Sequence, residues 1–169
     1  MVELLFALGL FLVLSAMAVP QVLAGLDRSR TRAAARFLAA RMALARSQAV
    51  ARSATVALRF SEDAGVTSFA AYVDGNRNGV RSKDIASGED AALDSPVRLS
   101  DLFPGVTVTS SSIGPSEILS FTPVGTATSG TIHVRGRDGT QYAVRVLGAT
   151  GRTRVLRYDT VTGAFVEIF

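Results

Sequence analysis

The sequence contains no cysteine, which excludes disulfide bonds, thiolate zinc sites and a cysteine nucleophile. Its single histidine, His133, alternates with apolar residues in a strand-like segment and has no neighbour in sequence that would activate it. No G-x-S-x-G motif, phosphate-binding loop or dinucleotide-binding glycine motif stands at a strand-to-helix junction. We therefore predict that the chain is not an enzyme and uses no cofactor.

Charged residues are also missing from positions 4–19, and the apolar character continues beyond Pro20 to Leu26. A helix rises about 1.5 Å per residue, so about 20 apolar residues cross the ~30 Å hydrocarbon core of a bilayer. Residues 1–26 are therefore predicted to form a transmembrane helix, with a cleaved secretory signal as the alternative. Pro20 removes one backbone hydrogen bond and is expected to bend or locally melt this helix.

Glu3 is the one charged residue near the start of this apolar segment. A carboxylate in the first turn of a helix is favoured by the helix dipole, so a solvated terminal charge is one interpretation. The other interpretation is a group that pairs with the amino terminus of a neighbouring chain, since a carboxylate in an apolar environment requires a cation or a proton.

Helical periodicity continues over residues 27–53, where no glycine or proline interrupts the chain. The apolar stripe of this segment is formed by Leu26, Ala33, Phe37, Ala40 and Leu44, broadened by Leu38 and Met42. Arginines at Arg28, Arg32 and Arg36, followed by Arg41, Arg46 and Arg52, are predicted to form a solvated face. The two segments together predict one helix of about fifty residues, a length typical of membrane or filament helices.

From residue 54 to residue 169 the apolar period changes from helical spacing to alternation. Short strands are predicted at 55–60, 68–73, 97–99, 106–109, 118–121, 131–134, 142–147, 154–158 and 164–169. The Arg-Asp-Gly-Thr sequence at 137–140 is the clearest hairpin turn. Closely spaced strands without intervening helices pair antiparallel, so the chain is predicted to be an α+β protein with a mostly antiparallel β domain.

Charge is unevenly divided along the chain, whose formal net charge is +4. Residues 1–59 carry a net charge of +6, residues 60–120 carry −5, and residues 121–169 carry +3. This division favours complementary surfaces within or between subunits over a uniformly basic nucleic-acid-binding coat.

The apolar start with Glu3, the proline 17 positions later and the arginine- and alanine-rich continuation resemble the amino-terminal region of type IV pilins and type II secretion pseudopilins. Later segments are similar to the GspH/FimT group of minor pseudopilins and minor pilins: Asp-Gly-Asn-Arg-Asn-Gly at 74–79, Phe-Thr-Pro-Val-Gly at 121–125 and Gly-Arg-Thr-Arg at 151–154. The resemblance implies a pilin-like fold in which the long helix packs on two antiparallel sheets.

For function, the resemblance implies a minor pseudopilin of a type II secretion system. The chain would be a structural subunit of the periplasmic pseudopilus, anchored in the bacterial inner membrane by a single span. Its expected partners are other pseudopilins or pilins through the amino-terminal helix, a prepilin peptidase and an inner-membrane assembly platform. A short basic leader, removed by that peptidase, and methylation of the new amino terminus are also implied. Glu3 and Pro20 are the implied assembly residues.

The alternative is a type IV pilus minor pilin of the FimT kind, which takes up DNA through a Gly-Arg-x-Arg segment. Arg152 and Arg154 fall on one side of a predicted strand, and Arg157 follows them. Guanidinium groups bind phosphates in a bidentate manner, so these three residues are the DNA-binding candidates. A solvated hairpin is the simpler interpretation.

Asp74, Asn76 and Asn78 match the start of a calcium-loop pattern, in which alternate side-chain oxygens face a cation. The pattern then fails, because its twelfth position is Ile85 instead of glutamate, although Asp84 and Glu89 are near. A loop held by its own side-chain hydrogen bonds is favoured over a metal site.

Overall fold

The computed structural model describes residues 2–114 and 116–168. Within these residues a long helix, α1 (Val2–Arg52), precedes two short helices, α2 (Ser82–Ser87) and α3 (Leu99–Leu102), and ten strands. The strands are β1 (Val56–Asp63), β2 (Val66–Val73), β3 (Ala91–Ala92), β4 (Val97–Arg98), β5 (Val106–Ser112), β6 (Ile118–Phe121), β7 (Gly130–Gly136), β8 (Gln141–Leu147), β9 (Arg152–Asp159) and β10 (Ala164–Glu167). The predicted α+β fold is confirmed.

The strands form two antiparallel sheets. The first has the order β3-β2-β1-β6, with β4 also paired to β2, and the second has the order β10-β9-β8-β7-β5. All nine predicted strands are present, and the predicted turn at 137–140 joins β7 to β8. Strand β3 and both short helices were not predicted. Met1 is the first residue of the predicted transmembrane segment 1–26, called the stem below, and Phe169 is the last residue of the last predicted strand. Both lie outside the described residues.

Helix α1 packs on the sheets through its second half only. The buried face is made of Thr31, Ala34, Ala35, Leu38, Met42, Ala45 and Ala49. The predicted stripe is therefore partly wrong: Leu38 and Met42 are buried and Phe37 packs against the core, but Leu26, Ala33, Ala40 and Leu44 are exposed. Alanine occurs on both faces of this segment, so hydrophobicity alone does not distinguish them. The buried alanines let the helix approach the sheets closely, and two large residues fill the remaining space.

One apolar core joins the helix to both sheets. Leu38 and Met42 of α1 belong to the same buried cluster as Phe69 of the first sheet and Val134 and Val144 of the second. Burying one such side chain contributes about 1.5–3 kcal/mol. The second half of α1 is therefore a structural element of the β domain.

The first half of α1 has the opposite character, because no residue from position 2 to position 26 is buried. By length and composition α1 is able to cross a membrane. Residues on both sides of Pro20 are helical, so the helix is not melted at this proline, and a bend there stays a prediction. Proline lacks an N–H, yet the surrounding turns maintain the helix.

Candidate functional site

Glu3 lies in the first turn of α1, on the exposed apolar half of the helix. Among residues 2–114 and 116–168 it has no salt-bridge partner, while Leu4, Leu5 and Phe6 beside it are largely exposed. A carboxylate surrounded by apolar surface is favourable next to a cation or at the positive end of the helix dipole. The stem thus presents an apolar surface with one anionic group at its end.

The predicted solvated arginine face of α1 is mostly present, because Arg28, Arg32, Arg36, Arg46 and Arg52 are exposed, but Arg41 is partly buried against the β domain. Arg41 forms an ion pair with Asp94, and both side chains are about three-quarters buried, with exposures of 22 % and 25 %. Asp94 also accepts a hydrogen bond from the backbone N–H of Ala71 on β2, at 2.8 Å. This ion pair joins the basic helix to the acidic middle of the chain within one subunit, while complementary surfaces between subunits stay a prediction.

Arg46 brings together two segments that carry the family resemblance. Its Nε donates a hydrogen bond to the backbone oxygen of Gly125, at 3.1 Å. Gly151 lies against the same place: a Cβ there would be 2.4 Å from that oxygen and 2.9 Å from Arg46 Nε. Gly151 also has a φ of +59°, which side chains other than glycine rarely adopt. Segments 121–125 and 151–154 therefore meet on the helix for packing reasons.

The three DNA-binding candidates do not share one surface. Arg152 and Arg154 are exposed on one side of β9, as alternation predicts. Arg154 is already engaged, because its guanidinium lies 2.9 Å from the carboxylate of Glu167 on β10. Arg157 points to the other side of the strand and lines a groove with Arg28 of the helix. The predicted triplet of arginines is thus divided between two faces.

The loop after β2 is held by its own polar groups. The carboxylate of Asp74 accepts hydrogen bonds from the N–H groups of Asn76 and Gly79, at 3.2 and 2.8 Å. The side-chain oxygen of Asn76 accepts from the N–H of Asn78, at 3.1 Å. Asp90 receives two further N–H donors of this region. The favoured interpretation of an internally bonded loop is therefore confirmed.

The disfavoured alternative, a calcium site at Asp74, Asn76 and Asn78, stays untested. The described part of the chain contains no group of three histidine, cysteine or acidic residues arranged to hold a metal ion. Oδ2 of the buried Asp84 has no hydrogen-bond partner among these residues. An unchanged melting temperature with added calcium would remove this alternative.

His133 packs against an aromatic side chain on the outer face of the second sheet. Its ring lies edge-on to Phe165, with centroids 5.1 Å apart, and Phe165 in turn contacts Tyr158. Ala143, which pairs with His133 on the neighbouring strand, is fully buried. The contacts assign His133 a packing role.

Comparisons with known proteins agree with this architecture. The family model of the type II transport protein GspH matches residues 34–151, more than two thirds of the chain. The solved structure of the minor pseudopilin EpsH from the type 2 secretion system of Vibrio cholerae is similar, with a TM-score of 0.57 and 14 % sequence identity over 76 % of this chain and 97 % of that chain. Among curated protein sequences none matches significantly. The chain belongs to the GspH family of type II transport proteins.

Proposed function

We propose that this protein is a minor pseudopilin of a type II secretion system, a structural and assembly subunit of the periplasmic pseudopilus. The observation that carries the proposal is α1, whose exposed apolar first half continues without a break into a second half built into the β domain. The family match and the likeness to EpsH in fold support it. In this role the protein is a single-pass inner-membrane protein with its β domain in the periplasm.

The exposed half of α1 sets the physical requirement for assembly. Its large apolar side chains are stable in lipid, and they leave lipid at acceptable cost only for a bundle of similar helices. Gly9 has open space around it, so a neighbouring helix can approach there closely. The proposed partners are other pseudopilins through this half, after maturation by a prepilin peptidase and transfer at an inner-membrane assembly platform.

Glu3 gives this association its register. Inside a helix bundle its carboxylate requires a cation, and the amino terminus of a neighbouring subunit is a positive group at the same depth. Pairing of the two charges is strongly favoured in a low dielectric, so helices displaced along their axes are disfavoured.

The test compares Glu3→Ala with a matched control, Glu62→Ala, which removes the same charge from an exposed position of β1. We expect Glu3→Ala to insert in the membrane normally but to lower incorporation into pseudopili by about tenfold or more, since about 1.4 kcal/mol already changes an equilibrium tenfold. Cross-linking to neighbouring pseudopilins measures incorporation. Normal incorporation of Glu3→Ala would contradict the role of this residue.

DNA uptake of the FimT kind is not proposed, because Arg154 is paired with Glu167 and Arg157 lies on the other face of β9. That function predicts salt-dependent DNA binding that disappears in the double variant Arg152→Gln and Arg154→Gln. The pseudopilin role predicts no such binding. A binding assay with the full chain at low salt distinguishes the two.

A further inference from the structure

A polar groove of about 560 Å³ lies where α1 enters the β domain. It is bounded by the helix on one side and by the β7–β8 turn and the end of β9 on the other. Its charged members are Arg28, Arg32, Arg157, Asp138 and Asp159. With three guanidinium groups and two carboxylates, the groove has a net positive charge.

The two carboxylates are already bonded by their own turns. Asp138 accepts a hydrogen bond from the N–H of Thr140, at 3.2 Å. Asp159 accepts hydrogen bonds from the N–H of Val161 and the hydroxyl of Thr162, both at 3.0 Å. The Val161 hydrogen bond, followed by the Thr162 hydroxyl and the charge of Arg157, lowers the pKa of Asp159, so this group stays anionic at neutral pH.

The guanidinium of Arg28 has donors to spare. Its Nε lies 3.6 Å from Asp138, while 73 % of the side chain remains exposed. A guanidinium has five N–H donors in a planar fork, and one long contact to a carboxylate leaves most of them available. The groove therefore presents N–H donors from both of its sides, those of Arg28 on the helix and those of Arg157 on the strand.

The position of the groove relative to a membrane follows from the helix. The uncharged segment ends at Leu26, and Arg28 and Arg32 come two and six residues later, about 3 and 9 Å further along the axis. The headgroup layer on each side of the hydrocarbon core is about 5–8 Å thick. When the apolar half of α1 spans a bilayer, the groove is level with the lipid headgroups.

We propose that this groove binds the phosphate of an anionic phospholipid headgroup. Guanidinium groups bind phosphate oxygens through paired hydrogen bonds, and those of Arg28 and Arg157 would approach one phosphate from opposite walls of the groove. The proposal rests on the membrane placement of α1 and is independent of Glu3. Its consequence is that a bound lipid holds the β domain against the membrane surface until the subunit leaves the bilayer.

The test uses the full chain in mild detergent and native mass spectrometry, with phosphatidylglycerol or phosphatidylcholine added as the probe. We expect phosphatidylglycerol to be retained about tenfold more strongly than phosphatidylcholine, which corresponds to about 1.4 kcal/mol. The double variant Arg28→Gln and Arg157→Gln should lose this preference. Arg52→Gln is the matched control, because it removes the same charge from the same helix about 36 Å away along the axis.

Equal retention of the two lipids, or a preference that survives in the double variant, would overturn the proposal. Displacement of phosphatidylglycerol by inorganic phosphate at a comparable concentration would assign the site to free phosphate and would also overturn it. If the double variant does not fold by circular dichroism, the single variant Arg28→Gln provides the test, because its side chain is mostly exposed. Failure of lipid binding leaves the Glu3 assembly experiment unaffected, so the two proposals are tested separately.

Discussion

The two halves of α1 are one continuous helix in two different environments. Residues 2–26 have no buried side chain, whereas the second half buries seven, from Thr31 to Ala49, against two sheets. An isolated helix in water is marginal, and its stability in proteins comes mostly from packing of one face. The second half obtains that packing from its own chain, while the first half requires lipid or other helices. The second half of α1 therefore stabilises the folded subunit, and the first half is available for contacts with lipid or with other helices.

The largest expected effect tests whether the second half stabilises the domain. Leu38→Ala should lower the free energy of unfolding by about 2–5 kcal/mol, because Leu38 is fully buried in the core and its truncation leaves a cavity. The matched control, Leu12→Ala, removes the same atoms from the exposed half and should change it by less than about 0.5 kcal/mol.

The measurement is urea unfolding of the full chain in detergent, followed by the near-ultraviolet circular dichroism of the tyrosines. All three tyrosines lie on strands of the β domain, so the signal reports the domain and not the stem. Similar losses of unfolding free energy in both variants would contradict the proposed difference between the two halves of α1.

A smaller effect tests the close packing of Gly151 against Gly125 and Arg46. Gly151→Ala should cost about 2–4 kcal/mol, because the new Cβ would combine backbone strain with a clash against Gly125. Gly163→Ala is the control: Gly163 has a similar φ of +64°, but no atom lies closer than 4.0 Å to the place that the new methyl group would take. It should cost only about 1 kcal/mol, since strain acts there alone. Equal losses of unfolding free energy in the two variants would show that the crowding of Gly151 by Gly125 and Arg46 adds nothing to the cost of backbone strain.

The smallest effect concerns the ion pairs of the helix. Arg41→Gln should cost about 1–2 kcal/mol, because it leaves the partly buried carboxylate of Asp94 without its cation. Arg30→Gln breaks the exposed pair with Asp27 and should change stability by less than about 0.5 kcal/mol. The same unfolding assay with added salt distinguishes them, since screening weakens exposed pairs most. If Arg41→Gln were as stable as Arg30→Gln, Arg41 would behave as a solvated residue, as the sequence predicted.

Much of the fold follows from local patterns in the sequence. The long helix, the nine alternating segments and the turn at 137–140 each depend on neighbours in sequence, and each is observed. Strand β3 is only two residues long and exists because Tyr72 and Val73 of β2 pair with it, so no local pattern marks it. The position of β6 is not marked by a local pattern either. It pairs with β1 of the first sheet, although its neighbours in sequence, β5 and β7, belong to the second sheet.

The site was harder to predict because its contacts join distant parts of the chain. Arg46 and Gly125 are 79 residues apart, and the glycines of the two resemblance segments are explained only when both lie against Arg46. Charge composition indicated complementary surfaces, yet it did not specify the pair formed by Arg41 and Asp94. The face of α1 that is buried was likewise decided by the sheets, since alanines on both sides of the helix are equivalent in sequence.

The unbroken helix also links the distance between the two ends of α1 to the rotation of the β domain about the helix axis. From Glu3 to Leu38, where the β domain is anchored, 35 residues of helix span about 52 Å along the axis. One residue inserted between Pro20 and Leu26 would move the domain by about 1.5 Å and turn it by about 100°. Under the proposed assembly role, the charge at one end of α1 therefore determines the direction in which the β domain faces at the other end.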